Sequence, residues 1–182
     1  MIDWTHRSKL VLEGKPAKPI IQPFVFGSSN VAYSRCRIAA AAMEWGADWL
    51  LWLDADHSFP ENTLTRLLGR GRPIVGVNYR RRMEEVKYTA YAMRDGNLVP
   101  ATPEGDGIEQ VEHMGMGVCL THAEVFRRIS PPYFHFDLRE DGAQIGEDVV
   151  FFGKVKAAGI PAFVDHALSR EVGHMSEVEL KL

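Results

Sequence analysis

The sequence predicts a single α/β domain, a mixed sheet flanked by helices, on three observations. Apolar runs of strand length alternate with stretches of helical periodicity through most of the 182 residues. The links between them are short, as they are when consecutive strands and helices pack as neighbours. One run, Trp49-Leu50-Leu51-Trp52-Leu53, is continuous in apolar character and stops abruptly at Asp54-Ala55-Asp56. A covered parallel strand that ends at a ligand-facing sheet edge has that pattern.

Taken in order, residues 1–19 are polar, carry Pro16 and Pro19, and read as an irregular lead-in. Residues 20–26 form a short apolar run ended by Gly27-Ser28-Ser29-Asn30, a strand and its turn, with Pro23 arguing for an edge position. A helix over 31–45 follows, its apolar positions Ile38, Ala41, Ala42 and Trp45 spaced for one face and Gly46 supplying the stop. After the strand at 49–53, Ser58-Phe59-Pro60-Glu61 has capping-box spacing and predicts a helix to Leu68. Residues 73–79 are the next strand. Residues 86–93 and a partner after Asp95-Gly96-Asn97 read as a hairpin.

Residues 101–107 are a loop rich in proline, glycine and acid, and 108–112 a strand leading into Gly115-Met116-Gly117 and a further strand at 118–120. Thr121-His122-Ala123-Glu124 is a second capping box, opening a helix to Ile129 that Ser130-Pro131-Pro132 ends. Residues 133–145 are a loop. A helix then opens at Gly146-Glu147-Asp148 and runs to Ala158, with Gly159 as its terminator. Residues 161–164 make a last strand, and the tail carries His166 and His174. The expectation is a mostly parallel sheet with an antiparallel subregion at 86–120.

Composition narrows the function classes. Apolar content of 46% and charged content of 25% are those of an ordinary globular protein. A formal net charge of −3 gives no reason to expect a nucleic-acid surface, although Arg80-Arg81-Arg82 suits a smaller phosphate. The two cysteines, Cys36 and Cys119, have no metal-type spacing and no disulfide framework. No apolar run is long enough to span a bilayer, and no signal-peptide core follows Met1. A reducing cytoplasm is the expected location.

The chemistry-bearing residues cluster around Asp54-Ala55-Asp56. On an extended chain, carboxylates at i and i+2 share a face and repel, so a positive group is expected beside them. Asp54 and Asp56 are therefore candidates to hold a divalent metal that in turn holds a phosphate. Set against that is a plain acidic turn. Glu147 and Asp148 complement a helix N-terminus whether or not they do chemistry, and one of them could serve as a base. Gly115 and Gly117 serve either a bulge or backbone N–H groups facing a ligand. His174 suits a transition-type ion such as Mn²⁺, and His57 and His166 share that chemistry with less support. Arg35, or Arg37 beside it, could reach a diphosphate.

The ordered set resembles the core of GT-A-fold glycosyltransferases, the nucleotide-diphospho-sugar transferases. It comprises an Arg-led helix, residues 47–56, a capped helix, Pro73-Ile74-Val75-Gly76-Val77-Asn78-Tyr79, residues 115–120, Gly146-Glu147-Asp148 and a closing His174. The resemblance is to family-two-like enzymes of bacterial and phage type and covers about residues 20–175. It implies one domain with a Rossmann-like mixed sheet, residues 175–182 forming a tail. Asp54, Asp56 and His174 would hold Mn²⁺ or Mg²⁺. Arg35, Asp54, Gly115, Met116 and Gly117 would line the donor, and Asp148, with Glu147 beside it, would deprotonate the acceptor. The partners implied are a nucleotide sugar and an acceptor hydroxyl. Cys36 stands where the family often has Asn after the Arg. Only about twenty residues precede the strand at 20–26, an N-terminal shortening that implies a reduced base pocket or a partner chain completing it. A non-catalytic nucleotide-sugar or glycan-binding module is the alternative. A phosphatase with Asp54 as nucleophile fits less well, because His57-Ser58-Phe59 lacks the small-residue pattern that should follow.

Overall fold

The computed structural model describes residues 10–12, 15–17, 20–81, 87–102 and 105–175. Several sequence expectations lie wholly or partly outside these residues: most of the lead-in, Arg82, the start of the hairpin at Val86, and the tail beyond Met175. In chain order, β1 (Leu10–Leu12) and β2 (Lys15–Ala17) pair antiparallel, so part of the expected irregular lead-in is a small hairpin. Residues 20–26 are not a strand. They run without a sheet partner, with Ile20 and Val25 largely exposed, and Pro23 offers no donor to a ladder.

α1 (Val31–Trp45) matches its expected bounds, because Asn30 accepts the Tyr33 N–H and Gly46 takes the left-handed conformation that lets it bond Ala42 and Met43 carbonyls. Its buried stripe is Ala32, Arg35, Ala39 and Ala42, rotated from the expected face so that Trp45 is exposed. Alanine is nearly neutral in a hydrophobic pattern, so a run of four let the expected face slip. β3 (Trp49–Leu53) also has its expected bounds. β4 (His57–Ser58) takes up the residues read as a cap, and α2 (Thr63–Gly69) begins later, after Asn62. β5 (Ile74–Gly76), β6 (Tyr91–Arg94), β7 (Asn97–Pro100) and β8 (Ile108–Val111) follow, with Asp95 and Gly96 both at positive φ in the β6–β7 turn.

β9 (Val118–His122) runs further than expected, and His122 rather than Thr121 caps α3 (Ala123–Arg128) by accepting the Glu124 N–H. The expected loop at 133–145 contains a hairpin of β10 (Asp137–Leu138) and β11 (Gln144–Ile145). α4 (Glu147–Ala157), β12 (Ala162–Asp165), α5 (His166–Ser169) and β13 (Gly173–His174) complete the chain.

The central sheet is mixed, with five strands in the order β3-β9-β5-β12-β8. Only β12 and β5 pair parallel; β9 lies antiparallel between β3 and β5, and β8 antiparallel to β12. The mostly parallel sheet is thus corrected, and β3 is an edge strand. A short apolar run buries equally well in either direction, so its composition does not report strand sense.

Strand alternation divides the core between two faces. Leu50, Trp52, Ile74 and Cys119 join α1, α3 and α4 through Ala39, Phe126, Phe151 and Phe152. Val75, Val118 and Leu120 join α2 and α5 through Leu67 and Leu168. On the first face the Trp52 indole donates to Thr121 Oγ1 at 2.6 Å, satisfying two buried polar groups between β3 and β9. No helix among the described residues is long and apolar enough to cross a membrane.

Candidate functional site

Where β3 ends, the Asp54 N–H still bonds the Gly117 carbonyl at 2.8 Å, one step beyond the Leu53↔Val118 pair. The chain then turns, with the His57 N–H reaching back to the Asp54 carbonyl at 3.3 Å. The two aspartates consequently take different partners. Arg35, on the first turns of α1 and only 6% exposed, donates through Nη2 to both oxygens of Asp54, at 3.1 and 3.0 Å. Its Nη1 bonds Glu147 Oε1 at the start of α4. This is the positive group that the carboxylate spacing demands. It also ties β3, α1 and α4 together. Burial raises the Glu147 pKa, against the opposing pull of Arg35. Arg37 is exposed, its guanidinium over the Phe26 ring.

Asp56 meets two histidines. The β4–β13 pairing sets His174 opposite His57, and the Met175 N–H bonds the Asp56 carbonyl at 2.9 Å. Asp56 Oδ1 is 2.9 Å from His57 Nδ1, and Oδ2 is 3.5 Å from His174 Nε2. The two imidazoles stack, with centroids 4.4 Å apart and planes at 12°. Potential ligand atoms of Asp56, His57 and His174 all lie within 4.8 Å of one another. His174 Nδ1 is 2.9 Å from the Arg80 carbonyl, which can only accept, so Nδ1 carries a proton. In the neutral ring, Nε2 then presents a lone pair to a carboxylate oxygen. That nitrogen and the Asp56 oxygen are then two acceptors facing each other at 3.5 Å.

Tyr79, just beyond β5, joins the two groups. Its ring stands edge-on to His57 at 4.3 Å and to His174 at 5.4 Å, and its hydroxyl accepts the Gly117 N–H at 3.1 Å. Burial holds the phenol protonated well above the usual tyrosine range. This ring accounts for the two glycines. A Cβ on Gly115 would lie 2.2 Å from the Tyr79 hydroxyl, and one on Gly117 would lie 2.5 Å from His57 Cε1. Both therefore admit protein rings, and Met116 between them is buried.

Asp148 is half-buried on the first turn of α4, where its Oδ1 accepts the Val149 N–H at 2.8 Å. Its charge is felt by Glu147, Tyr79 and His113, which places it at the same end of the sheet. Of the other sequence candidates, His166 pairs with Glu109 at 2.9 Å. The thiols are structural: Cys119 is fully buried with its pKa pushed up to about 12 by burial, and Cys36 bonds the Phe134 backbone. The structure thus gathers Arg35, Asp54, Asp56, Gly115, Gly117, Glu147, Asp148 and His174 at one end of the sheet. It adds Tyr79, which the sequence did not single out, and promotes His57.

These features define a mixed α/β protein with an Asp–His–His cluster and a buried Arg–carboxylate triad at the edge of its sheet. Among solved structures it is similar to A197 from STIV, at 16% identity and a TM-score of 0.53 over 85% of this chain and 81% of that one. A likeness at that identity shows the fold alone. No protein-family model matches the chain, and no curated protein matches it.

Proposed function

We propose that this chain is a metal-dependent glycosyltransferase of the GT-A type, moving a sugar from a nucleotide-diphosphate donor to an acceptor hydroxyl. The observation that carries the reading is the pair of facing acceptors, Asp56 Oδ2 and His174 Nε2 at 3.5 Å. Two donors each about 2.1 Å from a shared ion would be separated by about that much. His174 also donates its other nitrogen to a backbone carbonyl, as metal-ligating histidines do. The residues therefore fit the group. Asp56 and His174 would hold it, with His57 against them. A mixed carboxylate and imidazole set suits Mn²⁺ better than Mg²⁺. When bound, such an ion offsets the charge that develops on the diphosphate leaving group.

The remaining work falls to the chain's own side chains. Arg35 bridges Asp54 and Glu147 and fixes α4 against β3. Because Glu147 is committed to that ion pair, Asp148 is the carboxylate left to take the acceptor proton. The Tyr79 hydroxyl, bonded to the Gly117 N–H, keeps the glycine turn closed against the histidine pair.

The test is calorimetry of Mn²⁺ and then of a panel of nucleotide-diphosphate sugars, on the wild type and on Asp56→Ala. Donor binding that needs Mn²⁺ and is lost in the variant supports the reading. Tight donor binding that a chelator leaves untouched removes the metal from it.

A further inference from the structure

His57 is the least explained side chain at this end of the sheet. Its ring is buried between Tyr79, His174 and the Gly117 backbone, and its Nε2 has no hydrogen-bond partner. Leaving a buried polar nitrogen unsatisfied destabilises the fold. A phenylalanine would fill the same slot without that cost. What a phenylalanine lacks is the other nitrogen. Nδ1 lies 2.9 Å from Asp56 Oδ1, and a carboxylate only accepts, so Nδ1 must donate and the orphaned Nε2 is the consequence.

We propose that His57 is the positioning residue of the cation site. By donating from Nδ1 to Asp56 Oδ1, it sets the rotation of the carboxylate that turns Oδ2 toward His174 Nε2. This rests on the metal reading above and extends it. The site then has two matched locks. The Arg80 carbonyl fixes the His174 tautomer so that Nε2 is the lone pair, and His57 fixes the Asp56 carboxylate so that Oδ2 is the oxygen turned toward it. The two rings stack at 4.4 Å, so the two locks lie against each other. Gly117 is part of the device, since any Cβ there would displace the His57 ring.

The experiment is Mn²⁺ titration by calorimetry on wild type, His57→Phe and His57→Asn. It is paired with long-range ¹⁵N–¹H NMR of the wild-type histidines. His57→Phe keeps the stacked ring and loses the donor. His57→Asn loses the ring and keeps an N–H near the Nδ1 position. Mn²⁺ affinity should fall about 10- to 100-fold in His57→Phe, the range for losing such an outer partner. His57→Asn should restore most of it, and the NMR should find the Nδ1–H tautomer at His57. Wild-type affinity in a folded His57→Phe overturns the role of His57 while leaving the cation site standing. So does an Nε2–H tautomer, which remains readable if His57→Phe does not fold. A wild type that binds no Mn²⁺ overturns the cation reading itself, and this inference with it.

Discussion

Arg35 closes on both carboxylate oxygens of Asp54, nineteen residues further along the chain, at 3.1 and 3.0 Å. The same guanidinium reaches Glu147, so one buried cation serves two acids from two other elements. The expected use of Arg35 for a diphosphate is thereby redirected. Both of its terminal nitrogens are engaged by acids of the protein.

Removing that cation should be severe. Arg35→Met leaves Asp54 and Glu147 close together with their shared partner gone. Breaking a buried pair costs about 3–5 kcal/mol, and the partial exposure of Asp54 puts this case near the lower end. Urea denaturation measures it, and a loss under about 1 kcal/mol would mean that solvent already screens the triad.

Gly117→Ala should damage the site and the fold together. Its Cβ would sit 2.5 Å from His57 Cε1 and 2.8 Å from the Tyr79 hydroxyl, with backbone holding the glycine from behind. Overpacking of that kind costs about 1–3 kcal/mol. Thermal melts and Mn²⁺ titration should both register it; a variant that melts and binds like wild type would show that the rings have room to move.

Trp52→Phe probes the sheet alone. It deletes the 2.6 Å bond to Thr121 Oγ1 and leaves a fully buried hydroxyl behind. The expected loss is about 1–3 kcal/mol, with Mn²⁺ binding unchanged. A change in Mn²⁺ affinity would reveal a coupling between β3 and the site that the contacts do not contain.

Acid should destabilise the fold through His113. Burial first, and Arg81 second, hold its pKa below the usual histidine value, against Asp148 and Glu112. The unfolded chain therefore takes up the proton first. The contribution is present above about pH 6.5 and is lost as the pH falls from there toward the lowered folded value. Glu147 works in the opposite sense. Its pKa is raised, so the folded state keeps its proton longer, and stability declines as pH rises from 4.5 through the raised value. Denaturation midpoints in the presence of chelator should drop on acidification below about pH 6.5, and His113→Gln should flatten that limb.

Asp148→Asn separates catalysis from binding. If the chain is the proposed glycosyltransferase, transfer should be abolished while metal-dependent donor binding persists, because the variant keeps the shape and loses only the proposed base. Retained turnover would move the role to another group.

Much of this protein is legible in its sequence where the signal is local. α1 has its expected bounds because Asn30 and Gly46 carry the caps on their own side chain and backbone. β3 and the β6–β7 turn follow from an apolar run and an Asp-Gly pair for the same reason. The approximate starts of β5, β8, α4 and β12 were legible too. Ser58 and Thr121 misled because capping-box spacing also occurs in residues that a ladder or a buried hydrogen bond claims first.

Residue identity and order alone determined the acids, the closing histidine, the glycine pair and the helix that delivers Arg35. Only the tertiary structure decided who meets whom. The turn after Asp54 splits the aspartates, giving Asp54 to Arg35 and Asp56 to the histidine pair. The short β4–β13 ladder brings His174 from far along the chain to stack on His57, and Tyr79 fills the space that Gly115 and Gly117 leave. These are pairings between segments distant in sequence. Their energy comes from ring packing and shared hydrogen bonds that exist only once the sheet has assembled.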